Sequence, residues 1–231
     1  MEHEPTIRIK HPTRFLIAGP TGCGKTKFVA RILETGKMLD PKPTRIVWIY
    51  SEWQDLYETL SKNMKIEFKK NGLDNALYES FSPLVANLII LDDQMNSSPK
   101  ERKQMLQIFT QGSHHRNLSV IYIVQNLFEQ GANSRTISLN SQYIVLFKNP
   151  RDSAQISYLA KEIYPKNSRF LVDSYIDATR KPHSYIFINL TQECNDWMRV
   201  CTNIFPGEDT EVYTHSDSTI PNEIVYKSTS I

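Results

Sequence analysis

The sequence has little of what would place it in several large classes. It holds three cysteines, Cys23, Cys194 and Cys201, in 231 residues. They are too few and too scattered for a disulfide framework, and an odd count fits a reducing compartment better than secretion. No Cys/His spacing reads as a zinc site: His114 and His115 are adjacent, with no cysteine nearby. Long apolar runs are missing as well. The longest, Leu88 to Leu91 and Val120 to Val124, fall far short of a membrane span, and Met1 to Lys10 has no apolar signal core. The expectation is a soluble chain of intracellular origin. Excess charge is also absent, since 27 basic residues face 25 acidic ones for a net charge of +2. That balance excludes a histone-like polycation, an acidic solvating chain and a wholly disordered protein. It leaves nucleic-acid binding open, because a whole-chain sum hides local patches.

What is present suffices for one α/β domain of ordinary size with at most an appendage. Residues 1–206 alternate apolar runs with polar, turn-rich connections. From Gly207 those runs stop, so 207–231 reads as an acidic, polar tail that is flexible or docks elsewhere. Its five acidic residues against Lys227 leave the first 206 residues with a net charge of +6. Within the domain, Arg14–Ala18, Arg45–Tyr50, Leu88–Leu91, Ser119–Val124 and Gln142–Phe147 read as strands. Lys25–Thr35 reads as a helix with Phe28, Val29, Ile32 and Leu33 on one face. A second helix opens at Ser98-Pro99 and runs to about Gln111, burying Met105, Leu106, Ile108 and Phe109. Short strands alternating with helices predict a mainly parallel sheet covered by helices on both faces. Ser184–Ile188 and Trp197–Cys201 read as a peripheral strand pair. Between Met64 and Pro83 the pattern does not decide.

Gly19-Pro20-Thr21-Gly22-Cys23-Gly24-Lys25-Thr26 fits G-x-x-x-x-G-K-[ST] at every required position. Such a loop turns backbone N–H groups inward around phosphate oxygens. Lys25 adds a compact positive charge for the β- and γ-phosphates, and the Thr26 hydroxyl can ligate Mg²⁺. The apolar strand before it and the amphipathic helix after it are the context this motif requires. A second element, Leu88-Ile89-Ile90-Leu91-Asp92-Asp93, is an apolar strand ending in two carboxylates. Asp92 is placed to hold Mg²⁺ through water, and Asp93 to polarise the water that attacks a γ-phosphate. Glutamate is the commoner base in such ATPases, and a turn with two aspartates is the plainer alternative. Gln125 directly follows an apolar strand, where it can sense the γ-phosphate or serve as a loop-capping amide.

Rival phosphate-loop classes lack their own marks. There is no N/T-K-x-D guanine motif, and no compact arginine-rich lid of the kind a small-molecule kinase uses. An arginine supplied by a neighbouring subunit completes many ring ATPases. Arg116, Arg135 and Arg151 lie in suitable loops, and each can equally be an ordinary solvated arginine. The basic runs Lys62–Lys70 and Pro99–Lys103 can touch phosphates or simply face solvent.

Together, Gly19–Thr26, Leu88–Gln94 and His114–Gln125 resemble the FtsK–HerA superfamily. Within it they are similar to the genome-packaging ATPases of double-jelly-roll DNA viruses and Maverick/Polinton elements. The resemblance spans about Arg14 to Pro206. It implies a RecA-like core of strand order 5-1-4-3-2 working as a homo-oligomeric ring, a hexamer or pentamer, that uses ATP and Mg²⁺. The ring would pull double-stranded DNA through a capsid vertex into a preformed capsid, in a virion or an infected host cell. The family's phosphate-loop lysine and threonine fall on Lys25 and Thr26, and its paired acids on Asp92 and Asp93. Its glutamine falls on Gln125, and its trans-acting arginine on Arg116 or Arg135. A HerA-like helicase in DNA processing and a non-catalytic, ATP-gated capsid assembly factor are the alternatives.

Overall fold

The computed structural model describes residues 7–71, 73–92, 99–112, 116–127, 132–151, 154–215 and 227–230. Five runs rich in Ile, Val, Leu and aromatics form its parallel core. They are β2 (Arg14–Ala18), β4 (Arg45–Tyr50), β6 (Asn87–Asp92), β7 (Leu118–Val124) and β8 (Tyr143–Phe147), after a two-residue β1 (Ile9–Lys10) that pairs with β3 (Leu39–Asp40). Their order across the sheet is β8-β2-β7-β6-β4, which in chain order is the expected 5-1-4-3-2. Each neighbouring pair is parallel. All residues of β6, β7 and β8 are buried, as strands covered on both faces must be.

Alternation along these strands builds two cores. Leu88 and Ile90 of β6 face one way, with Phe15, Ile17, Ile121 and Ile123. Against them packs α1 (Lys25–Thr35), which buries the anticipated Phe28, Val29, Ile32 and Leu33. Ile89 and Leu91 face the other way, into a core closed by α4 (Pro99–Gln107), α6 (Ala154–Ile163) and α7 (Ser168–Ala178). Ahead of α6 lies α5 (Ala132–Asn140). Each such buried Leu, Ile or Phe side chain stabilises the fold by about 1.5–3 kcal/mol, so the layering follows from the alternation alone.

Several features depart from the sequence reading. The undecided stretch after Met64 folds as β5 (Glu67–Lys70), parallel on the free edge of β4, and the short α3 (Asn75–Glu79); both follow α2 (Asp55–Asn63). The second expected helix is α-helical only to Gln107 and ends in a π-turn, Ile108–Gly112. Of the stretch beyond Gly207, expected as a tail, Glu211–Thr214 and Lys227–Ser230 extend the sheet. The expected peripheral pair forms as β9 (Tyr185–Asn189), antiparallel to β8, and β10 (Val200–Thr202), antiparallel to β9, but Trp197, expected in the second strand, lies in a 3-10 turn, Asp196–Met198. To β10 are added β11 (Glu211–Thr214), antiparallel, and then β12 (Lys227–Ser230). Val212 and Tyr213 are buried on opposite faces; two apolar residues are too short a run to register as a strand beforehand. Among the described residues no helix is long and apolar enough to cross a membrane.

Candidate functional site

Where β2 ends beside β7, the Gly19 N–H donates to the Val124 carbonyl at 3.2 Å, and the chain turns through 19–24 into α1. Two glycines are demanded there by geometry. A Cβ on Gly19 would lie 2.7 Å from Phe147 Cβ and 2.8 Å from Cys23 Sγ. Gly24 opens α1 at φ 112°, without a side-chain cap, so the first N–H groups of the helix are left for a ligand. Lys25 folds its ammonium back onto the loop, donating to the carbonyls of Gly19 (2.5 Å) and Pro20 (3.0 Å). Burial pushes the neighbouring Cys23 thiol up, against the pull of Lys25, which argues against a thiolate nucleophile.

Thr26, the next residue of α1, donates its hydroxyl to Asp92 Oδ2 at 3.3 Å. Asp92 closes β6, is 3% exposed, and lies in register with Ile123 of β7. The Tyr57 hydroxyl, from α2, donates to the same oxygen at 2.7 Å. Gln125, half-buried, follows β7 directly. All these strand ends open on one cavity of about 770 Å³. The phosphate loop, Asp92 and Gln125 line it, together with Arg31, His183, Tyr185 and Phe205. Arg31 stacks on the Phe205 ring at 4.0 Å and pairs with Glu208. The exposed His183 meets the Cys23 carbonyl through Nδ1 at 3.1 Å.

The residues fit a metal–nucleotide complex. Mg²⁺ keeps most of its waters and takes one or two protein oxygens plus phosphates; the adjacent Thr26 hydroxyl and Asp92 carboxylate are such a pair. A metal site of protein side chains alone is not offered, since no cluster of three or more His, Cys, Asp or Glu forms among the described residues.

The structure thus brings Gly19–Thr26, Asp92 and Gln125 together. Asp93, like His114 and His115, lies outside the described residues. The arginines lie elsewhere. Arg116 precedes β7, at the end opposite Gln125, with Nη1 3.4 Å from the carbonyls of Glu79 and Phe81 and its guanidinium 5.5 Å from the Tyr78 ring centroid. Arg135, expected in a loop, lies on α5 and pairs with Glu162 of α6 at 3.4 Å. Arg151 follows β8 and is exposed. None of the three lines the cavity. Sequence reasoning missed Tyr57, Arg31, His183 and Phe205. Only Arg31 carried a signal, lying six residues along α1 from Lys25, about 9 Å at the helical rise.

The chain matches no protein-family model and no curated protein. Solved structures do resemble it. The genome packaging NTPase B204 of Sulfolobus turreted icosahedral virus 2, in complex with sulfate, superposes with a TM-score of 0.53 at 10% identity, over 79% of this chain and 93% of that one. The fold is that of a RecA-like P-loop ATPase. B204 described as the DNA-packaging ATPase of Sulfolobus turreted icosahedral virus gives a TM-score of 0.52 at 10% identity, over 80% and 96% of the two chains. The cytoplasmic domain of the type VII secretion ATPase EccC from Thermomonospora curvata gives 0.54 at 14% identity, covering 85% of this chain and 25% of that one. At such identities the likeness is one of fold.

Proposed function

We propose that this chain is an ATPase motor that translocates double-stranded DNA into a preformed viral capsid. One observation carries the reading: the phosphate loop, Asp92 and Gln125 meet at the ends of adjacent parallel strands around a single cavity. Lys25 leaves the loop carbonyls to bind the β- and γ-phosphates. Thr26 and Asp92 would hold Mg²⁺, which when bound neutralises charge on the phosphate oxygens. Asp93 takes the proton of the attacking water, and Gln125 senses the γ-phosphate. An arginine from a neighbouring copy, Arg116 or Arg135, stabilises the developing charge, so the working form is a ring, a hexamer or pentamer. The fold shared with a viral DNA-packaging ATPase supports duplex DNA as the track, a capsid vertex as the docking partner, and a virion or infected cell as the setting.

The test is ATP hydrolysis with and without double-stranded DNA, alongside the mass of the assembly. The expected result is an oligomer whose turnover rises with duplex DNA and vanishes in Lys25→Ala. A strict monomer with DNA-independent turnover refutes the motor. Separation of a forked duplex would favour a helicase instead, and ATP binding without stimulated turnover an assembly factor.

A further inference from the structure

Helix α2 carries no recognisable motif, yet it forms a wall of the cavity. Gln54, Asp55 and Leu56, at its start, line the space, and the next residue, Tyr57, is fully buried behind them. The Tyr57 ring has aromatic neighbours on several sides, with centroids at 5.3 Å for Trp48, 5.5 Å for Tyr50 and Trp53, and 5.2 Å for Phe68. A phenol packed in this way has its hydroxyl position set by the core and not by whatever enters the cavity. That hydroxyl donates to Asp92 Oδ2, the oxygen that also receives the Thr26 hydroxyl.

We propose that Tyr57 is a positioning residue for Asp92. Its hydroxyl, set by the core, helps fix the plane of the Asp92 carboxylate at the end of β6, so that Asp92 meets the divalent cation of a bound nucleotide in one orientation. The proposal rests on the nucleotide–metal reading of the cavity. Donors behind a metal-binding carboxylate raise metal affinity by orienting it, and their removal characteristically costs 10–100-fold in that affinity. A merely structural tyrosine, satisfying a buried acid, would instead affect folding and leave metal dependence untouched.

The decisive variant is Tyr57→Phe, which keeps the ring in its stack and removes the hydroxyl alone. In the full chain, ADP binding without metal is measured by calorimetry, and Mn²⁺ binding to the ADP complex by electron paramagnetic resonance. The expected result is metal-free ADP affinity within about twofold of native and Mn²⁺ affinity weakened about tenfold. Trp53→Phe, which alters the same stack without touching Asp92, should keep native Mn²⁺ affinity. Native Mn²⁺ affinity in Tyr57→Phe, or equal weakening of ADP and metal, overturns the proposal. A second readout needs no variant: Mg²⁺ added to the native ADP complex should change the emission of Trp48 and Trp53, which border Tyr57. Unchanged emission overturns it as well. Failure of the native protein to bind ADP at all is a different outcome, and refutes the nucleotide site itself.

Discussion

Replacing Tyr213 tests whether the chain beyond Gly207 belongs to the folded domain. Tyr213 lies on β11, is 1% exposed, and joins the core that also holds Val200 and Tyr175. Its hydroxyl donates to Asp177 Oδ2 on α7 at 2.9 Å. Burial, and beside it the Asp177 carboxylate, push the phenol up, so the hydroxyl remains a donor throughout the working pH range. Truncating a fully buried aromatic to alanine removes its transfer free energy and leaves a cavity, together about 3–5 kcal/mol. Tyr213→Phe loses only the hydrogen bond, about 1 kcal/mol, because Asp177 keeps its ion pair with Arg180. For a domain of this size each kcal/mol moves the unfolding midpoint by about 2–4 °C. Tyr213→Ala should therefore melt roughly 6–20 °C below the native protein, and Tyr213→Phe only a few degrees below it. Differential scanning calorimetry, with urea unfolding as a second probe, measures both. A Tyr213→Ala protein that melts with the native one would show that β11 contributes nothing. Residues 207–231 would then be a tail after all.

Two further outcomes are expected. Burial holds the His11 imidazole below its ordinary value of 6.5, with hydrogen bonds to Asn117 opposing in part. The neutral ring suits its partners: Ser119 donates to Nδ1 at 2.5 Å, while Nε2–H faces Asn117 oxygens at 3.1 Å. Below pH 6.5 the unfolded chain binds the extra proton first, so stability present above 6.5 is lost as pH falls toward the lower folded pKa. Urea midpoints at pH 7.5 and 5.5 should differ less in His11→Gln than in the native protein; an identical difference removes His11 from the account. For the trans-acting arginine, Arg135→Ala alone should lower turnover by about 10³-fold or more. Mixing it with Lys25→Ala subunits should restore part of it, and no recovery in the mixture counts against a trans role.

The parallel core is legible in the sequence because its signals are local. Ile89 and Leu91 against Leu88 and Ile90 announce a strand covered twice, and Gly19, Gly24 and Lys25 announce the loop, without reference to anything distant. The meeting of that loop with Asp92 and Gln125 then follows from strand order, since parallel strands put their C-terminal ends on one edge. What escapes the sequence depends on distant partners. Tyr57 stands in a mixed polar helix, and only its contact with Asp92, 35 residues away, makes it notable. Arg31 gains meaning only through Phe205 and Glu208, which the chain brings back from the far side of β9 and β10. For β5, Glu67-Phe68-Lys69-Lys70 hides an edge strand whose solvent face is charged, a common way for edges to resist pairing.

The placement of the arginines bears on why a single copy would be incomplete under the proposed reading. Among the described residues, the lysine and arginine side chains lining the cavity are Lys25, Lys27 and Arg31. Lys25, now on the loop carbonyls, is the one proposed for the phosphates, and Arg31 is engaged with Phe205 and Glu208 about 9 Å along α1. Arg116 stands before a seven-residue strand with Gln125 after it, a span of about 20 Å at the rise of extended chain. It cannot reach its own cavity, so any action on a phosphate is on a neighbour's. Two long hydrogen bonds and the Tyr78 ring also tie Arg116 down. Arg135 is differently held. Its side chain is 74% exposed and its ion pair with Glu162 is 3.4 Å long, a surface contact of about 0–1 kcal/mol. Releasing it costs little beside the charge stabilisation it could give in a water-poor interface. The energetic comparison therefore favours Arg135 over Arg116 as the residue that crosses between copies.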